Sequence, residues 1–206
     1  GLMAATDYIA ALRQASDLST LPVPRPALVI GAGNTAVDMA VQLKRLGADE
    51  VTLVYRRGFD AMSATGHEIE IAKLNFVRIK TWASPLEVLF DDAGRVAGMR
   101  FEETRMDEGR LARTGAFIEI AADAVFKAIG QAMAAPSEFD TLAQGLWQEG
   151  ERIAVDGALR TRVPGIYAGG DCVAPGQDLT VQAVQHGKLA ALAIHNDILE
   201  GAAWPT

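Results

Sequence analysis

The 206-residue chain is half hydrophobic and 22% charged, the balance of a folded chain with a sizeable core in one large or two small domains. Lys and Arg total 19 against 26 Asp and Glu, a net charge of −7 with no basic stripe, which argues against nucleic-acid binding and against attachment to an anionic membrane. No apolar run approaches the roughly 18 residues of a spanning helix, and the single cysteine, Cys172, rules out a disulfide framework, a Cys-x-x-Cys redox pair or an iron–sulfur or zinc site made by these residues alone; a cytoplasmic location is expected.

Residues 4–16 read as a helix with Ile9 and Leu12 on one side, and Pro22, Pro24 and Pro26 make a stiff connector. The apolar run Ala27–Ile30 then opens into Gly31-Ala-Gly33-Asn34-Thr35-Ala36. In a Gly-x-Gly-x-x-Ala turn the first glycine (Gly31) allows the tight exit from the strand. The second (Gly33) lets a pyrophosphate approach the backbone, and Ala36 keeps the following helix close to the sheet. Ala36, Met39, Ala40 and Leu43 recur at helical spacing, and Gly47 stops the helix. Its N-terminus offers free N–H groups and the positive end of a dipole to phosphate. Permissive glycines also occur in plain strand-turn-helix units, but a preceding strand, a following helix and a unit of the right length favour a dinucleotide site.

The next apolar strand, Val51–Val54, ends on Tyr55-Arg56-Arg57, and no acid follows until Asp60. An NAD site usually places an Asp or Glu there to accept from the ribose 2′-hydroxyl. Two guanidinium forks suit a 2′-phosphate instead. NADPH is therefore favoured over NADH, the alternative being a solvated basic corner. Residues 64–74 are helical in pattern and 76–82 form a further strand, so three successive β-α steps predict a parallel sheet. His67 and Glu68 read as a solvated face of that helix.

From Pro85 the pattern alternates. Residues 86–90, 96–102 and 117–121 predict a small antiparallel β-meander, with the turn Asp91–Gly94 and a charged loop, 105–113, at its tip. Residues 124–129 are one more strand, closing on Gly130, which is counted among the candidate cofactor-binding residues. Beyond it, 153–157 read as a strand and turn and 163–168 as a strand ending on Gly169-Gly170-Asp171, and a helix covers about 180–199. Ala183, Gly187, Ala190 and Ile194 share a face of that helix. His186 and His195 read as structural or exposed, and Cys172 as a small packed residue.

Three segments together resemble the flavin-dependent NAD(P)H oxidoreductases with two dinucleotide-binding domains, within them the group of the glutamate synthase small subunit and the electron-input half of dihydropyrimidine dehydrogenases. They are Gly31–Asp38 with Val54–Arg57; Ala124–Gln131; and Gly165–Asp171 with Thr180–Lys188. The resemblance implies an α/β fold: a Rossmann-like, three-layer NAD(P)-binding domain carrying the meander, plus an incomplete FAD-domain portion. Residues 1–25 are then a linker helix and Pro-rich connector from the FAD domain, 26–130 the NADPH-binding domain, and 131–206 the C-terminal part of the FAD-binding domain.

On this resemblance Gly31, Gly33, Asn34, Thr35, Ala36, Arg56, Arg57 and Gly130 belong to the NADPH side. Gly170 and Asp171 would sit at the FAD pyrophosphate and ribitol, Asp171 accepting from a ribitol hydroxyl. Thr180, Val181 and Gln182 would open a helix whose positive end faces the flavin N1–C2=O region. The chemistry implied is hydride transfer from NADPH to FAD, with electrons passing to a partner subunit or domain that carries iron–sulfur clusters and the substrate site. No side-chain acid or base is required for it, and none is assigned. The segment 123–131 and the region after Arg57 lean towards the pyrimidine-reducing group. Absence of a first flavin glycine motif from these residues implies the C-terminal portion of a longer polypeptide, inactive alone and holding FAD poorly. The alternative is a non-catalytic NADPH-binding regulatory or assembly module.

Overall fold

Every residue of Ala27–Ile30 is apolar and buried, as a parallel strand covered on both faces requires. In the computed structural model, which describes residues 1–130, 146, 152–174, 176 and 179–201, this strand lies at the centre of a five-stranded parallel sheet. The elements in chain order are β1 (Leu2–Ala4), α1 (Ala5–Gln14), β2 (Ala27–Ile30), α2 (Asn34–Arg45), β3 (Val51–Val54), α3 (Gly66–Leu74), β4 (Arg78–Lys80), β5 (Ala83–Phe90), β6 (Val96–Asp107), β7 (Arg110–Ala121), β8 (Ala124–Lys127) and α4 (Thr180–Glu200). The chain divides into two units, Gly1–Gly130 and Gln131–Thr206.

In the first unit the sheet order is β1-β8-β2-β3-β4. Alternation along the strands splits the core in two. Ala27, Val29, Val51, Leu53 and Phe126 join Tyr8 of α1 with Val37, Met39, Ala40 and Leu43 of α2 and Ile69 and Ala72 of α3. Leu28, Ile30, Val54 and Val125 instead meet Ala83, Met99, Phe101 and Ala122 of the meander. Helices, parallel sheet and meander are therefore three layers. Tyr8 packs edge-on to Phe126, ring centroids 5.3 Å apart.

Several local readings change. Residues 2–4 form a strand that pairs with β8, Leu2 opposite Val125, so the chain ahead of Pro22 contributes to this sheet. The charged stretch expected as a loop is mostly strand. Glu102 takes Arg113 in an ion pair of 2.9 Å, and Arg100 bridges Glu87 and Glu119. Cross-strand charge pairing thus extends β6 and β7 to a tight turn at Glu108-Gly109, both with positive φ.

In the second unit the expected strand parts of 153–157 and 163–168 reduce to single bridges, Ile153 to Val173 and Arg160 to Tyr167, while the turn expected at Asp156-Gly157 is present, Leu159 N donating to Asp156 O at 3.0 Å. α4 runs from Thr180 to Glu200. Among its residues Ala193 is buried, whereas Val181, Val184, Leu192, Ile198 and Leu199 are exposed. Asp197 holds the loop to the helix: its carboxylate takes Arg160 Nε at 2.6 Å, pairs with Arg160 Nη2, and accepts from the Tyr167 hydroxyl. Among the described residues no helix is long and apolar enough to cross a membrane, and no group of three or more His, Cys, Asp or Glu is placed to hold a metal.

Candidate functional site

The register of the parallel sheet brings two sequence features side by side. Ile30 pairs with Val54 and Gly31 N–H donates to Val54 O at 3.0 Å, so β2 delivers the glycine turn and β3 delivers Tyr55-Arg56-Arg57 at the same sheet edge. This is the carboxyl end of the parallel strands, where open α/β sheets bind ligands.

Gly31 has φ +150°, and a Cβ there would lie 2.2 Å from Ala128 O and 3.1 Å from Ala36 Cβ. Only glycine fits, and only a residue as small as Ala36 fits opposite it. Gly33 is the extended N-cap of α2; a Cβ there would meet the Ser63 hydroxyl at 3.3 Å and otherwise stand in open space. Ala36 and Val37 N–H donate to Gly33 O at 3.0 and 3.2 Å, whereas the N–H groups of Asn34 and Thr35 have no acceptor among the described residues. Bare amides at the start of a 12-residue helix, reached across a side-chain-free position, fit a pyrophosphate.

Asn34 and its neighbours also do something the sequence reading missed. The Asn34 side-chain oxygen accepts from Thr65 N at 3.0 Å, and Ala32 O accepts from Ala64 N at 2.9 Å. Two bonds thus tie the segment before α3 across the glycine turn. Thr65 caps α3 by accepting from Glu68 N at 3.3 Å, a signal present in the sequence as Thr-x-x-Glu. His67 is exposed and Glu68 half-buried.

Arg56 and Arg57 are exposed. Among the described residues neither guanidinium has an acidic or hydrogen-bonding partner, unlike Arg13, Arg25, Arg78, Arg95, Arg100, Arg105, Arg113 and Arg160, each of which faces a carboxylate. Their backbone, by contrast, is fixed. The Thr104 hydroxyl donates to Arg56 O at 2.7 Å and Trp82 N to Arg57 O at 3.1 Å. Gly130, at the end of this unit, is exposed with φ +99°. The cleft of about 500 Å³ beside this turn is lined by Lys80, Trp82, Thr104 and Arg105, and by neither the glycine turn nor the arginine pair.

In the second unit Gly170 has φ +84°, and its N–H donates to His186 Nδ1 at 2.9 Å, which makes His186 an anchor for this turn. A Cβ on Gly169 would lie 2.8 Å from His186 Cβ, and one on Gly176 2.1 Å from Gly170 O. The Cys172 thiol donates to Gly169 O at 3.1 Å. Asp171 is exposed, and among the described residues its carboxylate has no partner. Thr180 and Val181 open α4 with no side-chain cap ahead of them, and Gln182 N donates to Leu179 O at 3.0 Å. A tight glycine turn with an unpaired carboxylate and an uncapped helix start suits a ligand that carries both hydroxyls and anionic oxygens.

The family model for pyridine nucleotide-disulphide oxidoreductases matches residues 2–187. The glutamate synthase [NADPH] small chain of Escherichia coli K12 is 35% identical over 82% of this chain and 38% of its own length. The NAD-dependent dihydropyrimidine dehydrogenase subunit PreT of the same strain is 34% identical over 96% of this chain and 42% of its own. The subunit beta of an NADP(+)-dependent formate dehydrogenase from Moorella thermoacetica is 35% identical over 86% and 26%. The chain thus spans less than half the length of these curated relatives. Among solved structures, thioredoxin reductase from Lactococcus lactis superposes with a TM-score of 0.66 at 27% identity, covering 85% of this chain and 54% of that one. Thioredoxin reductase from T. acidophilum gives 0.72 at 23% identity over 97% and 58%, a likeness of fold. With the glycine turn, the three layers and these matches together, the chain belongs to the pyridine nucleotide-disulphide oxidoreductase family, whose members work with NAD(P)H and FAD.

Proposed function

We propose that this chain is the nicotinamide-nucleotide end of an electron-input flavoprotein, and that NADPH rather than NADH is its donor. The observation that carries the reading is the pair of exposed, unpartnered guanidiniums of Arg56 and Arg57 next to a glycine turn that only a backbone-hugging ligand can use. In this reading the free N–H groups of Asn34 and Thr35 hold the pyrophosphate, the bare Gly33 lets it approach, and the guanidinium forks take the 2′-phosphate by charge-assisted hydrogen bonds.

In the second unit Asp171 orients the ribitol hydroxyls, and the start of α4 at Thr180–Gln182 presents its positive end to the flavin pyrimidine ring. When bound, the two cofactors supply the hydride chemistry, donor carbon to acceptor nitrogen. The chain's residues contribute placement and field, with no side-chain acid or base. The relatives named as subunits favour a protein that hands its electrons to a partner subunit or domain bearing iron–sulfur clusters and the substrate site.

The test is nucleotide binding by the double variant R56A/R57A. NADP⁺ binding should weaken by about 1.5–3 kcal/mol for each charge-assisted bond lost, while NAD⁺ binding changes little. Equal weakening of both nucleotides would mean that the arginines do not read the 2′-phosphate, and no change in either would place them in solvent. NADPH binding without reduction of bound flavin would instead make the chain a nucleotide-responsive regulatory module.

A further inference from the structure

We propose that Thr104, Trp82 and Gly58 are positioning residues for the Arg56–Arg57 pair, so that the β-meander, and not the arginines alone, sets the preference for a 2′-phosphorylated nucleotide. This rests on the reading of Arg56 and Arg57 given above and extends it to residues that touch no ligand.

Five contacts converge on a turn whose two guanidiniums have no partner among the described residues. Tyr55 is held on both sides, its N–H donating to Lys80 O at 2.9 Å and its carbonyl accepting from Ala83 N at 3.0 Å. Its hydroxyl donates to Ala61 O at 2.9 Å, which closes the loop beyond the arginines. The Arg56 carbonyl takes the Thr104 hydroxyl at 2.7 Å, and the Arg57 carbonyl takes Trp82 N at 3.1 Å. Trp82 O accepts in turn from Thr104 N at 3.0 Å, so the two buttressing residues are bonded to each other.

The arrangement is specific in ways that general packing does not need. Trp82 has φ +60°, a left-handed conformation that costs a bulky residue energy and persists where surrounding contacts hold it. Its indole lies against Gly58, where a Cβ would approach Trp82 Cζ2 to 2.6 Å; a glycine directly after the arginines therefore lets the ring close under the turn. Thr104 is buried and stands beside an irregularity in the β6–β7 ladder, where residues 114–116 of β7 face Glu103 alone. Such bulges re-aim a side chain. Here the Thr104 hydroxyl is aimed at the Arg56 carbonyl.

The chemical consequence is selective. A guanidinium fork reads a phosphate by geometry as well as charge, and it does so with less loss of freedom when its own backbone is already fixed. Loosening the turn should therefore weaken the 2′-phosphate contact and leave the pyrophosphate cradle, built on β2 and α2, as it was.

The experiment measures dissociation constants for NADP⁺ and NAD⁺ by titration calorimetry on the chain, for wild type, T104V, T104S, G58A and R56A/R57A. T104V should raise the NADP⁺ constant by about tenfold, the upper net worth of the one hydrogen bond removed, and leave NAD⁺ within about twofold. T104S, which keeps the hydroxyl, should restore wild-type selectivity. G58A pushes the indole away while keeping the Thr104 hydroxyl in the chain and should show the same selective loss, so it carries the test should T104V not fold. An unchanged NADP⁺ to NAD⁺ ratio in T104V or G58A, with a strong selective loss in R56A/R57A, overturns the buttress and leaves the proposed function standing. No selective loss in R56A/R57A overturns both.

Discussion

The two glycine turns of this chain look alike in sequence and are held by different means. Gly31–Ala36 leaves a strand buried on both faces, in register with its neighbour, with one apolar core under the helices and another under the meander. Gly169–Asp171 leaves a segment joined by single bridges, and its turn is fixed by side chains, His186 at Gly170 N–H and Cys172 at Gly169 O. Its helix buries Ala193 while Ile198 is 77% and Leu192 61% exposed. The first turn is a product of sheet packing and the second of individual polar contacts, so the two should respond to different substitutions.

The largest expected effect is in the first unit. Phe126→Ala removes a fully buried ring that packs on Tyr8 and should cost about 3–5 kcal/mol in urea denaturation. Leu192→Ala on α4 should stay within about 0.5 kcal/mol, as exposed positions do. A comparable loss at Leu192 would mean that α4 carries as much packing as the sheet, and the contrast would fail.

Next come the glycines of the first turn, which separate stability from binding. Gly31→Ala combines φ +150° with a Cβ 2.2 Å from Ala128 O and should destabilise the unit by about 3 kcal/mol, the upper range of local backbone strain. Gly33→Ala meets only the end of Ser63 at 3.3 Å, so stability should hold within about 0.5 kcal/mol. Nucleotide binding should fall all the same, because the new methyl stands where the pyrophosphate approaches. Calorimetry and thermal melting on the two variants check this. Intact binding in Gly33→Ala would remove Gly33 from the cradle.

What the sequence reveals follows the same divide. The first turn is legible because periodic burial and glycine geometry are local: Ala27–Ile30, Ala36, Met39, Leu43 and Val51–Val54 fix strand, turn and helix within one continuous segment. The pairing of Ile30 with Val54 follows from that pattern. Contacts closed over long sequence distances are silent. Thr104 reaches Arg56 across 48 residues and Asn34 reaches Thr65 across 31; neither residue type nor spacing signals such a bond, although Gly58 directly after the arginines hints at a close approach. The stretch 105–113 reads as a loop because its charges are unpaired in one dimension. Folded, Glu102 meets Arg113 across the hairpin. In the second unit, strand-like stretches at 153–157 and 163–168 give only isolated bridges, since no ladder forms beside them among the described residues.

A smaller effect sharpens the account of the second turn. His186→Ala deprives the Gly170 N–H of its acceptor and should cost about 1 kcal/mol, the typical net worth of one hydrogen bond. The readout is amide exchange at Gly170, which should accelerate while exchange in β2 and β3 is unchanged. Unchanged protection at Gly170 would show that the turn is held by its tight glycine packing and the Cys172 bond to Gly169 O.

The smallest effect is a pH dependence confined to the second unit. Hydrogen bonds from Arg160 first, and from Tyr167, hold the Asp197 carboxyl below the ordinary carboxylate range, while the same carboxylate pushes the Tyr167 phenol up. A carboxyl whose pKa is lower folded than unfolded binds fewer protons in the native state. Its stabilisation is complete above the unfolded value and drains away as pH falls through the folded one, so the loss lies in the acid range below ordinary carboxylates. Asp197→Asn keeps the shape of the side chain and removes the charge. It should flatten the acid limb of second-unit stability, followed by exchange at Tyr167 and Ala168, and leave the sheet of the first unit with its wild-type acid profile. A matching change in β2 and β8 would show that the Arg160–Asp197–Tyr167 cluster stabilises both turns, and the two would then no longer be separate in their energetics.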